Sequence, residues 1–370
     1  MCVKSEVDNY ENEIGCEMVL TVTVCLVAIS VAVYLLAILT DRYFIVSLDE
    51  ISARMKLSSD VAGATLMAMG SSAPELAIAL IALMRPGGYA DVGIGTIVGS
   101  ALFNILVITG ASAIAKPLRI TWAIVTRDVL VYCGSVALLL WAFSDNRIDM
   151  TEAIIFIGFY AVYVGGLIWW SKSRALGDSE NLNNREKESQ ATSGNNLLVN
   201  VTVWFDKLFF ALMGNPRTEY LRAFLISIGL ISMISWVLVE SGISLANAVG
   251  VPPVIVALTI LAPGTSVPDM ISSIVVAKQG RGGMAVANAV GSNIFDILIG
   301  LGLPWLLIIL SGRKYIEVMA AGITTSTWLL LGSVLVLYVF MVTRRRLGRK
   351  EGYVLVVGYI VYVIWMYIGQ

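Results

Sequence analysis

Apolar runs long enough to cross a bilayer recur about ten times along this chain, near 18–40, 56–84, 92–115, 124–143, 152–170, 220–240, 251–277, 284–310, 324–343 and 353–369. The hydrocarbon core of a membrane takes about 20 residues of helix to span. Inside it every backbone N–H and C=O has to find a partner within the protein, so a spanning segment is a helix or a strand of a closed barrel. Runs of this length read as spanning helices. They predict an all-α polytopic membrane protein with about ten transmembrane helices. A composition 58% hydrophobic and 14% charged agrees.

The longest polar stretch separates the fifth run from the sixth. It divides the chain into a tail over 1–17, a first set of five spans over 18–170, a joint over 171–217 and a second set over 218–370. The part of the joint over 177–196 has the Asn, Glu, Ser and Lys content of a disordered segment. Over 197–213, Trp204, Phe205, Phe209 and Phe210 mix with Asp206 and Lys207; this stretch reads either as a helix on the membrane surface or as a buried linker helix. All but five of the 25 lysines and arginines fall on the side of the membrane that carries the joint; the five are Lys4, Arg85, Arg147, Arg313 and Lys314. Such a bias assigns the joint to the cytoplasm and both termini to the outside. Five spans before the joint then make the two halves enter the membrane from opposite sides. With no basic leader and a long first run, that run is expected to be a retained span.

Two of the runs are interrupted by the same kind of segment. Gly70-Ser71-Ser72-Ala73-Pro74-Glu75 lies in the second and Gly264-Thr265-Ser266-Val267-Pro268-Asp269 in the seventh. A carboxylate at bilayer depth is costly, so its default reading is functional. The proline removes a helical N–H and crowds the carbonyl four residues back, which predicts an interrupted helix in each half. Hydroxyls, freed carbonyls and a carboxylate are hard oxygen donors, suited to sodium or calcium.

A second motif is repeated as well. Gly99-Ser100-Ala101-Leu102-Phe103-Asn104 in the third run matches Gly291-Ser292-Asn293-Ile294-Phe295-Asp296 in the eighth, 29 positions after Glu75 and 27 after Asp269 respectively. Ser100 and Asn104 are four apart, as are Ser292 and Asp296, so each pair shares a helix face. Ser71 and Ser72 precede Glu75, as Thr265 and Ser266 precede Asp269, by the same helical intervals. Inverted repeats with interrupted helices and a midplane site are the pattern of secondary transporters. Gly95, Gly99 and Gly291 would allow close helix approach.

Simpler readings stand beside these. A serine or threonine in a membrane helix commonly bonds back to its own backbone. For Glu75, Asp269 and Asp296 the alternative is an internal salt bridge, but no lysine or arginine sits inside a run at comparable depth. Trp169, Trp170, Trp305 and Tyr315 lie near span ends and are expected to anchor at the interface. There is no histidine, and Cys2, Cys16, Cys25 and Cys133 show no metal or disulfide spacing.

At these residues the sequence resembles the cation/calcium exchanger superfamily, and most of all the potassium-dependent sodium/calcium exchangers. Residues 61–115 resemble their first α-repeat and 258–306 their second. The marks are Gly-Ser-Ser-Ala-Pro-Glu, Gly-Thr-Ile-Val-Gly-Ser-Ala-Leu-Phe-Asn, Gly-Thr-Ser-Val-Pro-Asp and Val-Gly-Ser-Asn-Ile-Phe-Asp; Pro263 departs from the small residue usual there. The resemblance implies an antiporter, not an enzyme, needing no cofactor and working as a monomer in the lipid bilayer of the plasma membrane or an internal membrane, with no nucleic-acid partner. It implies that Glu75 and Asp269 bind calcium, helped by Ser71 and Thr265. Sodium would use the same acids with Ser72, Ser100, Asn104, Ser266, Ser292 and Asp296 and carbonyls near Ala68 and Ala262. Asp296 is the position associated with potassium.

Two rival functions remain open on the residues themselves. A calcium/proton antiporter would use the same carboxylates, though protons need no hydroxyl ligands. An intramembrane aspartyl protease could pair Asp269 with Asp296, leaving Glu75 and the duplicated motif unexplained.

Overall fold

The computed structural model describes the backbone of residues 2–55, 68–85, 89–119, 122–174, 205, 207–278, 280, 282–318, 321–344 and 346–368. The fold is all-α. Eight helical stretches among the described residues are long and apolar enough to cross a membrane: Glu17–Arg54, Ala90–Ala115, Met150–Trp169, Tyr220–Val249, Pro253–Lys278, Ala285–Leu310, Gly322–Thr343 and Arg349–Ile368. The shorter apolar helix Ala73–Met84 and the helix Trp122–Ala142 stand at the expected second and fourth positions. Most of the first part of the second run, and the joint over 175–204, lie outside the described residues.

In chain order the helices are α1 (Cys2–Leu39), α2 (Ile45–Arg54), α3 (Ala68–Ser71), α4 (Ala73–Met84), α5 (Ala90–Phe103), α6 (Thr109–Ala115), α7 (Trp122–Ala142) and α8 (Met150–Arg174). They continue with α9 (Tyr220–Val249), α10 (Pro253–Val256), α11 (Ala262–Lys278), α12 (Gly282–Phe295), α13 (Gly302–Leu310), α14 (Ala321–Arg344) and α15 (Arg349–Ile368). Several are joined by π turns rather than loops: Thr40–Phe44, Asn104–Ile108, Ala257–Leu261 and Asp296–Leu301. The first helix therefore does not stop near residue 40. It passes through its π turn and goes on as α2 to Arg54.

The chain divides into two compact units. The larger comprises 1–37, 72–160 and 231–370, and α5 is its core. Of the 14 residues of α5 only Asp91 is not buried, as befits a helix apolar on every side. It packs on α4, α11, α14 and the π turn Ala257–Leu261. Close approach requires missing side chains. A Cβ on Gly99 would lie 2.5 Å from the Leu258 carbonyl oxygen, and one on Gly95 2.9 Å from Val254 Cγ2. Gly291, expected to do the same in the second half, has nothing within 4 Å of such a Cβ.

Two short antiparallel pairings tie this unit together. Strand β1 (Leu118–Arg119) pairs with β4 (Arg346–Leu347), and β2 (Arg147–Ile148) with β3 (Ile316–Glu317). β1 and β3 follow the third and eighth runs, β2 and β4 the fourth and ninth. Exchanging the two halves of the chain turns each pairing into the other. The halves also match element for element around the second motif, α5–π turn–α6 against α12–π turn–α13. Lys116 Nζ donates to the Lys278 carbonyl at 3.0 Å, placing a cation on the negative end of α11. Trp305, expected at the membrane interface, is fully buried instead, edge-on to Phe156 with ring centroids 5.1 Å apart. Indole area of that size is better used filling the space between α8 and α13. Trp169 is 72% exposed, as an anchor would be, and Tyr315 lies under the Arg147 guanidinium.

The smaller unit comprises 38–71 and 161–230. Its packing is aromatic: Phe44 stacks on Phe224 at 5.5 Å, Tyr43 meets Phe209 edge-on at 5.9 Å, and Arg54 lies 4.2 Å above the Tyr220 ring. Residues 207–213 are helical. Phe209 and Met213 are buried, while Leu208, Phe210 and Leu212 are exposed. One face of the described part of this segment is thus buried and the other apolar and exposed, which fits either reading of it. Arg222 caps it by donating to the Leu212 carbonyl at 2.9 Å.

Candidate cation site

The proline motif acts differently in the two halves. In the first, Ser72 leaves helical geometry (φ −95°, ψ 7°) and caps α4, with Pro74 in its first turn. Proline is tolerated there because that N–H has no helical partner anyway. Glu75 sits in the same first turn, where the positive end of the helix dipole favours a carboxylate. In the second half α11 runs through Pro268 without a break; the irregular backbone lies upstream, in the π turn Ala257–Leu261. The expected interruption there is thus shifted by about two turns. A π turn also releases carbonyls from the helical ladder, without ending the helix.

The second motif puts Asn104 and Asp296 at equivalent points, each the first residue of a π turn. Such turns recur at functional sites. Both side chains are buried, each 2% exposed, and Glu75 is 4% exposed. Ser72, Ser100, Ser266 and Ser292 are buried as well, and Asp269 is half-buried.

Within the larger unit these residues meet across the halves. Ser100 Oγ and Ser266 Oγ are 2.8 Å apart. The Thr265 hydroxyl lies beside the Glu75 carboxyl, and the Ser72 hydroxyl beside that of Asp296. Asn104 Nδ2 donates to Asn293 Oδ1 at 2.8 Å. Asp296 is also within electrostatic reach of both Glu75 and Asp269. The acids do not close on one point, since no three acidic, cysteine or histidine side chains among the described residues form a metal-holding group.

Three hydroxyls take the simpler role. Thr265 Oγ1 donates to the Ala262 carbonyl at 3.1 Å and Ser292 Oγ to that of Ala289 at 3.3 Å. Ser71 Oγ donates to the Ala68 carbonyl at 3.2 Å; both of these residues fall in the smaller unit. The same bond therefore occurs in each half, on the two carbonyls that the resemblance assigns to sodium. A carbonyl oxygen has two lone pairs, so one bond leaves the second free.

Buried side-chain atoms without a hydrogen-bond partner include Glu75 Oε2, Asn104 Oδ1 and Asp296 Oδ1. All three are acceptors. Buried acceptors left unmatched are costly, and a cation supplies what they lack. Two residues of this network carried no role in the sequence reading. Asn293 was visible in principle, being polar where its counterpart Ala101 is apolar. Tyr132 lies on α7, outside both repeated motifs, and had no signal.

The sodium/calcium exchanger protein family matches the chain over residues 25–169 and 220–368. The chain belongs to that family. Human sodium/potassium/calcium exchanger 4 is 27% identical over 89% of this chain and 78% of its own length. Human sodium/potassium/calcium exchanger 5 is 28% identical over 88% and 79%. Among solved structures, the sodium-calcium exchanger NCX_Mj superposes with a TM-score of 0.56 at 22% identity, covering 93% of this chain and 99% of that one. That likeness carries the fold, an all-α polytopic one. Membership of the exchanger family makes this chain a transporter and not an enzyme, and the protease reading of Asp269 and Asp296 falls with it.

Proposed function

We propose that this exchanger moves calcium, together with potassium, against sodium by alternating access. Ten spans in two inverted five-helix repeats, with both termini outside and the 171–217 joint in the cytoplasm, form the frame. The matched motifs, the exchangeable strand pairings and the relatives named as sodium/potassium/calcium exchangers support this reading. The observation that carries it is the group of three buried acceptors without donors, Glu75 Oε2, Asn104 Oδ1 and Asp296 Oδ1. They come from both halves of the chain and face a shortage that a cation relieves.

Glu75 and Asp269 hold calcium, helped by backbone oxygens of Ser71 and Thr265. Sodium takes the same acids with Ser72, Ser100, Asn104, Ser266, Ser292, Asp296 and the carbonyls of Ala68 and Ala262. Three carboxylates carry three negative charges when ionised, which one Ca²⁺ and one K⁺ balance, as do three Na⁺; a fourth Na⁺ leaves a single positive charge. Uncompensated charge in a low-dielectric site is very costly. The loaded site can therefore change sides, and the empty one is held back, which makes the exchange obligatory.

The test is calcium uptake into proteoliposomes at fixed pH, with the sodium and potassium gradients varied independently. Uptake driven by an outward sodium gradient and raised by potassium is the expected result. Uptake driven by a pH gradient and indifferent to sodium would replace this reading with calcium/proton antiport.

A further inference from the structure

The amide of Asn104 can present either an oxygen or an NH2 to a cation, and only the oxygen can ligate it. What decides between them lies outside the ligand set. Asn293 Nδ2 donates to the Ala101 carbonyl at 3.2 Å and to Tyr132 Oη at 3.0 Å. A backbone carbonyl can only accept, so Asn293 has to turn its nitrogen toward Ala101. Its oxygen then faces Asn104 and can only accept, and Asn104 answers with Nδ2 at 2.8 Å. The remaining atom, Asn104 Oδ1, is left buried and without a donor. Every hydrogen-bonding group of Asn293 is engaged in this arrangement: two N–H groups on Ala101 and Tyr132, the oxygen on Asn104. Tyr132 and Asn293 are fully buried, so water does not compete for these bonds.

We propose that Asn293 and Tyr132 are positioning residues that set the orientation of the Asn104 amide, so that its oxygen is the atom offered to the transported cation. The chain of donors and acceptors begins at a group that cannot flip, the Ala101 carbonyl, and ends at the ion. Neither Asn293 nor Tyr132 is a ligand in this arrangement. The two halves differ here: Ala101 stands where Asn293 does, and Asp296 where Asn104 does. A carboxylate offers oxygen on either face, so Asp296 needs no such device, whereas an amide does. This inference rests on the proposed cation site and deepens it.

A double-mutant cycle tests it, because an aspartate at position 104 offers oxygen on either face and has no orientation to control. The readout is the sodium concentration that half-displaces ⁴⁵Ca²⁺ from the purified full chain. Asn293→Ala is expected to raise it about tenfold in the Asn104 protein and less than twofold in the Asn104→Asp protein. Equal shifts in both backgrounds would overturn the proposal, since a direct ligand or a merely structural residue would cost the same in each. Alanine is the residue already present at the equivalent helical position. Should Asn293→Ala not fold, Tyr132→Phe in the same two backgrounds decides: a smaller loss of affinity, absent in the Asn104→Asp protein, supports the proposal, and no difference between backgrounds overturns it. Wild-type protein and Glu75→Gln, measured for uptake in parallel, separate failure of this inference from failure of the transport reading. Wild type without sodium-driven uptake sinks the latter alone.

Discussion

Gly99 and Gly291 open the same hexapeptide motif, yet alanine at the two positions should have opposite effects. At Gly99 the new Cβ would sit 2.5 Å from the Leu258 carbonyl oxygen and 2.8 Å from both Leu258 Cα and Ala262 Cβ. Two of those three atoms are backbone, so no rotamer change relieves the clash. Restoring ordinary contact near 3.4 Å requires α5 to move about 0.9 Å away from the Ala257–Leu261 turn and α11. The next residue is Ser100, whose hydroxyl lies 2.8 Å from Ser266 Oγ. A displacement of that size would stretch the pair to about 3.7 Å, beyond hydrogen-bond range. Overpacking of this kind costs about 1–3 kcal/mol, and the link between the halves is lost with it. At Gly291 a Cβ meets nothing within 4 Å. Replacing a mid-helix glycine there removes an entropic cost of about 0.5–1 kcal/mol. Thermal unfolding in detergent and sodium-driven calcium uptake should be measured for both variants. The expectation is a destabilised, transport-defective Gly99→Ala and a stable, active Gly291→Ala. Equal behaviour of the two would refute the packing argument.

Other expectations follow from the same geometry. Glu75→Gln and Asp269→Asn should each abolish calcium uptake while the purified protein keeps its elution profile and melting behaviour; normal transport in either would break the site assignment. Asp296→Asn should keep sodium/calcium exchange and lose its dependence on potassium, read from uptake at graded potassium. Trp305→Ala should destabilise by about 3–5 kcal/mol, because a fully buried indole leaves a cavity. The Arg85–Glu240 pair, at 2.6 Å but partly exposed on both sides, should cost about 1 kcal/mol or less on Glu240→Gln.

The class of fold was legible because a bilayer allows so few backbones. Apolar runs of the right length leave little choice but helices, and two motifs repeated in order mark two related halves. The candidate site residues could be named because carboxylates in apolar runs are expensive. What escaped has physical reasons as well. No composition marks a π turn, so the continuation of α1 through Thr40–Phe44 into α2 could not be seen. Pro268 carries the same expectation as Pro74, but α11 tolerates it within a continuous helix. Identical glycines have different neighbours, so Gly291 lacks the contact that Gly99 makes. Trp305 is close to a span end in sequence, while its burial depends on Phe156, a partner that lies far away in the chain. Tyr132 acts through a hydrogen bond to Asn293, 161 positions on, which only the assembled fold reveals.

Central to this account is that oxygens contributed by both halves of the chain serve one transported ion. A calcium-bound structure of the full chain measures that directly. The account predicts density for the ion with carboxylate oxygens of Glu75 and Asp269 both at about 2.3–2.6 Å, the usual calcium–oxygen distance. An ion held by residues of one half alone, or bound where neither acid reaches it, would contradict it.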